Sequence, residues 1–446
     1  MSGLFSFGRL GKCCAPMLVI GVVSTGIVNI SQADELSDPN LSLDLVLTVV
    51  KENDFRLKQL QEESQAFLAE SEAASYLPDP TVFAAIQSLP TDTFDVDQEP
   101  MTQLRVGVRQ MFPKGDALNI KSDMSGLKSD LQLLESKNRW LERKKQSEQA
   151  WLEAWYWQKK LVLLDEDQTF LEQVQKFIRS LYEVGARDQS DLIGADLELI
   201  KLNEKRIESK RKYQMFRQQL NTLANQRLNG SKLSLSLPDL ASIDFNSFHY
   251  AESEPYLVAH PKVELLSQKV LLSEKKVSLI EQDFKPAWGV EMSYGLRDGE
   301  NMDGSDRPDF FSAGVNVQIP LFSDAKQKQN QHAARQRSNV SQIKRDEALS
   351  QMSFQVDSLI QQYRNTAEQR ALYEAEILPT LEKQRLSALQ SYESDQGDFR
   401  LVMNLFLKEQ SAKTMHQRLR VNEQKLISSL NYLLGLDSTH AKNGAQ

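Results

Sequence analysis

The sequence is poor in cysteine. Its two cysteines, Cys13 and Cys14, both lie within the first 33 residues, a segment with the features of a removable export signal. The exported chain would then contain no cysteine, so disulfide bonds could not stabilise it. A cysteine nucleophile and cysteine metal ligands are excluded for the same reason.

The sequence also lacks the patterns of enzymes and metal sites. It contains no Gly-x-Ser-x-Gly motif and no phosphate-binding loop. The acidic segment 297–306 resembles a calcium loop only loosely, because it lacks the closing Glu, and we expect a solvated extracellular loop there. The histidines are scattered without the paired spacing of metal ligands: they are His249, His260, His332, His416 and His440. We therefore expect no enzyme activity, no cofactor and no bound metal.

Long apolar runs are absent except near the N-terminus. There, Arg9 and Lys12 precede an apolar stretch over 17–30, and Ser-Gln-Ala follows at 31–33 with small residues at its first and third positions. This layout predicts a secretory signal peptide over residues 1–33, and the alternative is a retained N-terminal anchor helix.

Acidic residues outnumber basic ones by 61 to 53, giving a formal net charge of −8. That balance argues against nucleic acid as a partner.

An internal repeat organises the rest of the chain. The segments RVGVRQMFPKGDA (105–117) and SAGVNVQIPLFSDA (312–325) share a Gly-Val pair, an alternating pattern and a proline. A proline before each alternating region and a tyrosine after each long polar stretch recur in the same order. We infer a tandem duplication. The predicted parts are a first repeat at 34–228, a linker at 229–259, a second repeat at 260–438 and a flexible tail at 439–446.

Each repeat is predicted to contain a helix, two strands, a long helix and a returning helix. Prolines are absent between Pro113 and Pro238, so one helix can run through much of that interval. A helix of about 70 residues is roughly 100 Å long, at about 1.5 Å per residue. The aromatic group at 151–157 is expected to pack against neighbouring helices. The predicted strands are about 80–88, 102–112, 286–296 and 309–319, and the predicted long helices are about 115–181 and 323–391.

The strands alternate between apolar side chains and small or polar ones. In the third strand, Trp288, Met292 and Tyr294 would face one way and Glu291 and Ser293 the other. Strands of about ten residues with this alternation are typical of membrane β-barrels. The alternative is a half-buried sheet in a soluble protein. The candidate residues of a barrel lumen are Arg105, Arg109, Glu291 and Asn316.

Four strands are too few to close such a barrel. Open sheet edges are not tolerated in hydrocarbon, because their N–H and C=O groups would have no hydrogen-bond partners. If the strands span a membrane, several copies of the chain must therefore share one barrel.

These features together resemble TolC-like outer-membrane efflux proteins. The resemblance covers nearly all of the chain after the signal and rests on YEVGARDQSDLIGA (182–195), IPLF (319–322) and HPKVELLSQKV (260–270). It implies a mainly α-helical fold with a membrane β-barrel portion. Three chains would form a twelve-stranded barrel in the bacterial outer membrane and a helical tunnel across the periplasm. The segment 77–118 is similar more specifically to the cation (heavy-metal) efflux branch.

The resemblance implies a passive exit duct. An inner-membrane pump, of RND type or similar, would deliver substrate through a periplasmic adaptor protein, and heavy-metal cations are the substrate that the branch suggests. One alternative is an outer-membrane conduit for type I protein secretion, which has the same architecture. Another is a periplasmic coiled-coil scaffold without a pore.

Functional residues are then expected at the two periplasmic hairpin tips. The acidic Asp191 lies four residues after Arg187, and the pair is a candidate for the periplasmic gate, the alternative being a surface ion pair of little energetic value. The second tip departs from the family pattern, with Asp395 where glycine is usual, so it is expected to dock or close differently. The candidate adaptor-docking residues, which would otherwise be ordinary turn residues, are Tyr182, Val184, Gly185, Ala186, Tyr392 and Gly397.

Overall fold

The computed structural model describes residues 40–185, 188–229, 232–241, 243–322, 324–394 and 396–436. The predicted signal peptide and C-terminal tail lie outside these residues. Within them, two repeats of one element order are joined by a linker. The first repeat contains β1 (Asn40–Leu41), α1 (Leu43–Asn53), α2 (Phe55–Ala74), β2 (Thr81–Gln87), β3 (Gln103–Phe112), α3 (Ala117–Glu183) and α4 (Gln189–Ala224).

The linker and the second repeat complete the chain. The linker contains β4 (Lys232–Leu233), which pairs in parallel with β1, and the short helix α5 (Glu254–Val258). The second repeat contains α6 (Pro261–Glu281), β5 (Ala287–Leu296), β6 (Phe310–Gln318), α7 (Asp324–Leu372), α8 (Leu378–Glu393) and α9 (Phe399–Leu433). None of the described helices is both long enough and apolar enough to cross a membrane.

The long helix of the second repeat is interrupted, and this corrects the expectation of one continuous helix over 323–391. A π-helical turn at Tyr373–Ile377 separates α7 from α8. The cause lies in Pro379, at the start of α8. Its ring crowds the carbonyl four residues earlier and it has no N–H to donate, so the helix widens by one residue there. The first repeat has no proline in α3, which runs unbroken for 67 residues.

The helix before β2 is broken at Asp54, between α1 and α2. Its carboxylate accepts hydrogen bonds from the backbone N–H groups of Arg56 and Leu57 and so caps α2. The same carboxylate pairs with Arg139 at 3.1 Å and with Arg143 at 3.0 Å. Burial by itself would raise the pKa of Asp54, but the hydrogen bonds and charges of the two arginines outweigh burial and hold the pKa below its ordinary value.

The four long strands form one sheet in the order β2-β3-β5-β6, and all neighbouring strands are antiparallel. The two repeats meet at the β3–β5 pair, where Arg109 lies opposite Glu291 and Val108 opposite Met292. Each of the four strands begins and ends within one residue of its predicted bounds, including β2, whose sequence alternates poorly. Among the described strands, nothing pairs with the outer edge of β2 or of β6.

The two faces of the sheet differ in chemistry. One face carries large apolar side chains that are exposed in the single chain: Leu104, Val106, Val108, Met292 and Tyr294 have between 42% and 53% of their surface exposed. The opposite face carries glycine, small polar residues and three charged side chains. The polar-face positions are mostly buried along β5 and exposed along β6, and the apolar face is left exposed.

Two separate apolar cores hold the helices together. The larger one surrounds the middle of α3, where Trp151, Trp155 and Tyr156 are buried against residues of α1, α7 and α9. The expectation that this aromatic group packs between helices is therefore confirmed. The smaller core lies near the helical hairpin tips and joins α3 and α4 to α8 and α9 through residues such as Ile178 and Phe399.

His260 connects the start of the second repeat to its end. Its Nδ1 accepts a hydrogen bond from the backbone N–H of Lys262 at 3.1 Å, which caps α6, and its Nε2 donates to the carbonyl oxygen of Tyr432 at 2.9 Å. Burial lowers the pKa of His260. The ring is thus held in one neutral tautomer that fits both partners.

Candidate functional site

Three of the four predicted lumen residues form one ion cluster on the polar face of the sheet. The Arg105 Nη2 atom lies 2.7 Å from Glu291 Oε1, and the Arg109 Nε atom lies 2.7 Å from Glu291 Oε2. Arg105 Nε also donates to Ser293 Oγ at 2.7 Å. One carboxylate from the second repeat therefore joins two arginines from the first.

The fourth predicted lumen residue, Asn316, lies on the same face but one strand further along. It is opposite Gly289 on β5, while Gly314 is opposite Glu291. Asn316 therefore lies two residues along β6 from Gly314, the residue that is level with the ion cluster.

An aromatic residue that the sequence pattern did not reveal supports the cluster. Phe83 on β2 lies opposite Gly107, and the guanidinium groups of Arg105 and Arg109 lie 5.4 and 5.8 Å from its ring centroid. A Cβ atom at position 107 would come within 2.5 Å of the Phe83 ring, so glycine is required for the ring to lie there. The segment around Phe83 alternates poorly, and this is why sequence reasoning missed it.

The first hairpin tip is an exposed turn between α3 and α4. Gly185 has a φ of +74°, and its N–H donates to the carbonyl of Tyr182 at 2.9 Å. Val184 is 77% exposed and Tyr182 is half-exposed. Of the predicted docking and gate residues here, Ala186 and Arg187 lie outside the described residues. The described part of this tip exposes small and apolar surface.

The second hairpin tip, between α8 and α9, is built differently. Tyr392 is only 1% exposed, and its ring packs between those of Phe177 and Phe399. This corrects the expectation that Tyr392 offers a docking surface, because a buried ring supports the tip from within. Gly397 is needed for close approach: a Cβ atom there would lie 2.7 Å from the backbone nitrogen of Tyr392.

A polar contact connects the two tips within one chain. The Tyr392 hydroxyl donates to Asp191 Oδ2 at 3.4 Å, a long hydrogen bond. Asp191, the described member of the predicted gate pair, lies in the first turn of α4. Its carboxylate is therefore placed where the two hairpins meet.

The outer side of α4 carries an apolar stripe that sequence reasoning also missed. Ile193, Leu197, Ile200 and Ile207 are exposed and follow one another at spacings of four, three and seven residues. Such a spacing is the seam of a helix–helix contact, and it was visible in the sequence. Among the described residues, no group of three or more His, Cys, Asp or Glu side chains is arranged to hold a metal ion.

No protein-family model and no curated protein sequence matches this chain. Solved structures do match. They include CusC, whose crystal structures concern the conformational changes that accompany folding and transmembrane channel formation. The TM-score is 0.74 with 11% identity, and the match covers 88% of this chain and 91% of that one. The outer-membrane channel OprN gives a TM-score of 0.72 with 13% identity over 89% of this chain and 90% of that one. The outer membrane protein VceC from Vibrio cholerae gives 0.71 with 11% identity over 89% and 97%.

The likeness extends over nearly all of the described chain, and it establishes the fold. The protein has the fold of TolC-like channels, which is mostly helical with a sheet portion. Several of these channels match about equally well, so the fold does not single out one branch among them.

The two tip glycines are predicted to respond differently to alanine. At Gly185 nothing among the described residues lies within 4 Å of a new Cβ, so Gly185→Ala should cost about 1 kcal/mol of local stability through its positive φ alone. Gly397→Ala should cost about 3 kcal/mol, because its clash is with backbone atoms that cannot move aside. Hydrogen exchange of the two tip segments measures both. If the two alanine variants lose equal hydrogen-exchange protection at their tips, the predicted difference between Gly185 and Gly397 is wrong.

Proposed function

We propose that this protein is the outer-membrane channel of an efflux system, in which three chains share one barrel and form a passive exit duct. The observation that carries the proposal is the four-stranded sheet with one exposed apolar face and two unpaired edges. In water such a face would favour aggregation. In a bilayer the same face is solvated by lipid, provided that both edges find partners.

The strand directions support closure by further copies of the chain. Because β2 and β6 are the two edges and run in opposite directions, β6 of one chain can pair in antiparallel fashion with β2 of the next. Every strand then has two neighbours and the alternation of faces continues around the ring. Three copies give the twelve strands that the resemblance to TolC-like proteins implies. The rival scaffold without a pore leaves the apolar face unexplained.

The state of the protein in the membrane is the first test. We expect the protein to remain in the outer-membrane fraction until detergent is added, and particle imaging to show three copies around one axis. Release of a single chain by osmotic shock would contradict the proposal and favour a soluble scaffold.

We further propose that the first tip docks a periplasmic adaptor, through which an inner-membrane pump of RND type delivers substrate. Its exposed Val184 and Tyr182, with the turn at Gly185, suit the close approach of a helical hairpin. The apolar stripe on α4 begins beside this turn and supplies surface for a neighbouring helix. That the cargo is a heavy-metal cation remains a prediction. Efflux of metal cations and type I protein secretion can be distinguished in a deletion strain, by measuring its sensitivity to metal salts and its profile of secreted proteins.

Gly185→Trp is predicted to abolish export while leaving the trimer intact. No described residue lies within 4 Å of a Cβ atom at position 185, so the expected effects are backbone strain from the positive φ, which the control shares, and a blocked approach of a partner. Gly304→Trp is the matched control, because Gly304 also has a positive φ and open space but lies in the loop between β5 and β6. Export is measured as substrate resistance of complemented deletion cells. Normal resistance with Gly185→Trp would remove docking from this tip.

We propose that Asp191, with Arg187, belongs to the periplasmic gate. Its contact with Tyr392 holds the two hairpins of one chain together, so Asp191→Ala is predicted to raise the single-channel conductance. Tyr392→Phe is the matched variant, because it keeps the buried ring and removes only the hydroxyl, and it should raise the conductance less. If both variants conduct like the unmodified protein, these residues do not form the gate.

A further inference from the structure

The polar face of the sheet carries an uneven charge. Of the inward-facing side chains on β2, β3, β5 and β6, only Arg105, Arg109 and Glu291 are charged. The outward-facing side chains of the same strands carry no charge at all. Each chain therefore adds one net positive charge to the lumen side of the sheet, and that charge is concentrated at the level of this one cluster.

The arrangement of the cluster presents the positive groups to solvent. Glu291 is buried beneath the arginines, with 11% of its side chain exposed, against 29% for Arg105 and 47% for Arg109. The single carboxylate is already shared between both guanidinium groups. The Phe83 ring lies against the guanidinium groups of both arginines. A solute passing this level meets guanidinium groups before it meets the carboxylate.

We propose that this cluster is a charge filter that favours anionic solutes over cations in the barrel. The inference rests on the proposed function, because it needs three chains around one lumen. The three net charges then lie at one level of a narrow aqueous passage with low-dielectric walls, where fields are focused and local anion concentration rises. Guanidinium groups also hydrogen-bond carboxylate and phosphate oxygens in bidentate geometry. The substrate class that fits is therefore a small carboxylate- or phosphate-bearing solute.

The acidic loop between β5 and β6 does not cancel this charge. Glu291 is five residues from Leu296, the last residue of β5. At about 3.4 Å per residue, Glu291 and the opposite Arg109 lie roughly 17 Å from the loop, whereas Arg105, opposite Gly295, starts closer and reaches back to Glu291 through its side chain. The distance of roughly 17 Å exceeds the Debye length of about 10 Å at 0.1 M salt, so the loop charges are largely screened at Glu291 and Arg109.

Ion selectivity in planar bilayers tests the filter. Purified trimers are placed in a KCl gradient near 0.1 M, and the reversal potential gives the permeability ratio of K⁺ to Cl⁻. Arg109→Gln removes the net charge and should raise this ratio about two- to fivefold, as expected for a few charges at about 10 Å in water. Glu291→Gln leaves both arginines uncompensated and should lower the ratio.

Asn316→Asp is the control that separates charge from damage to the cluster. It places a new carboxylate on the same face of β6, leaves every cluster residue in place, and should raise the ratio as Arg109→Gln does. Opposite shifts for Arg109→Gln and Glu291→Gln, with Asn316→Asp following Arg109→Gln, would support the filter. If all variants form channels with the same reversal potential as the unmodified protein, the charge filter is contradicted while the proposed channel function stands. Failure of the unmodified protein to form channels would overturn the proposed function itself.

Discussion

The rest of this structure depends on one constraint, which is that the edge strands of a sheet must be paired. The four strands of one chain leave the outer edges of β2 and β6 open, and an unpaired backbone group in hydrocarbon costs several kcal/mol, as a rough guide. The exposed apolar face of the same sheet is suited to lipid. Pairing with further copies of the chain would satisfy both demands, so the hydrogen-bond requirement of the backbone supports the proposed oligomer, and the number of three copies comes from the resemblance to TolC-like proteins.

The charged cluster of the sheet forms where the two repeats meet side by side. The central pair of the sheet joins β3 of the first repeat to β5 of the second, and this brings Arg105 and Arg109 against Glu291. Neither repeat could form the cluster alone. The arginines of one repeat pair with the carboxylate of the other, and the unequal numbers leave a net positive charge on the polar face of the sheet. The site is therefore absent from either repeat taken alone.

The two hairpin tips show how one ancestral motif can diverge. The first tip turns through Gly185 and exposes Val184, whereas the second buries Tyr392 between two phenylalanines and requires Gly397 for close packing. The first is suited to contact with a partner, and the second is suited to holding the four hairpin helices together. A long hydrogen bond between Tyr392 and Asp191 links the two tips within one chain.

Alternation and proline spacing predicted the bounds of the strands β3, β5 and β6 and of the first long helix closely, because these are local signals with fixed periods. A proline also explains the π-helical turn before Pro379, although its effect was overlooked in the sequence. The burial of Tyr392, the place of Phe83 over Gly107 and the sharing of Glu291 between two arginines were decided only by tertiary structure. The physical reason is that strand order and helix packing join residues nearly two hundred positions apart, and no local periodicity records which segments become neighbours.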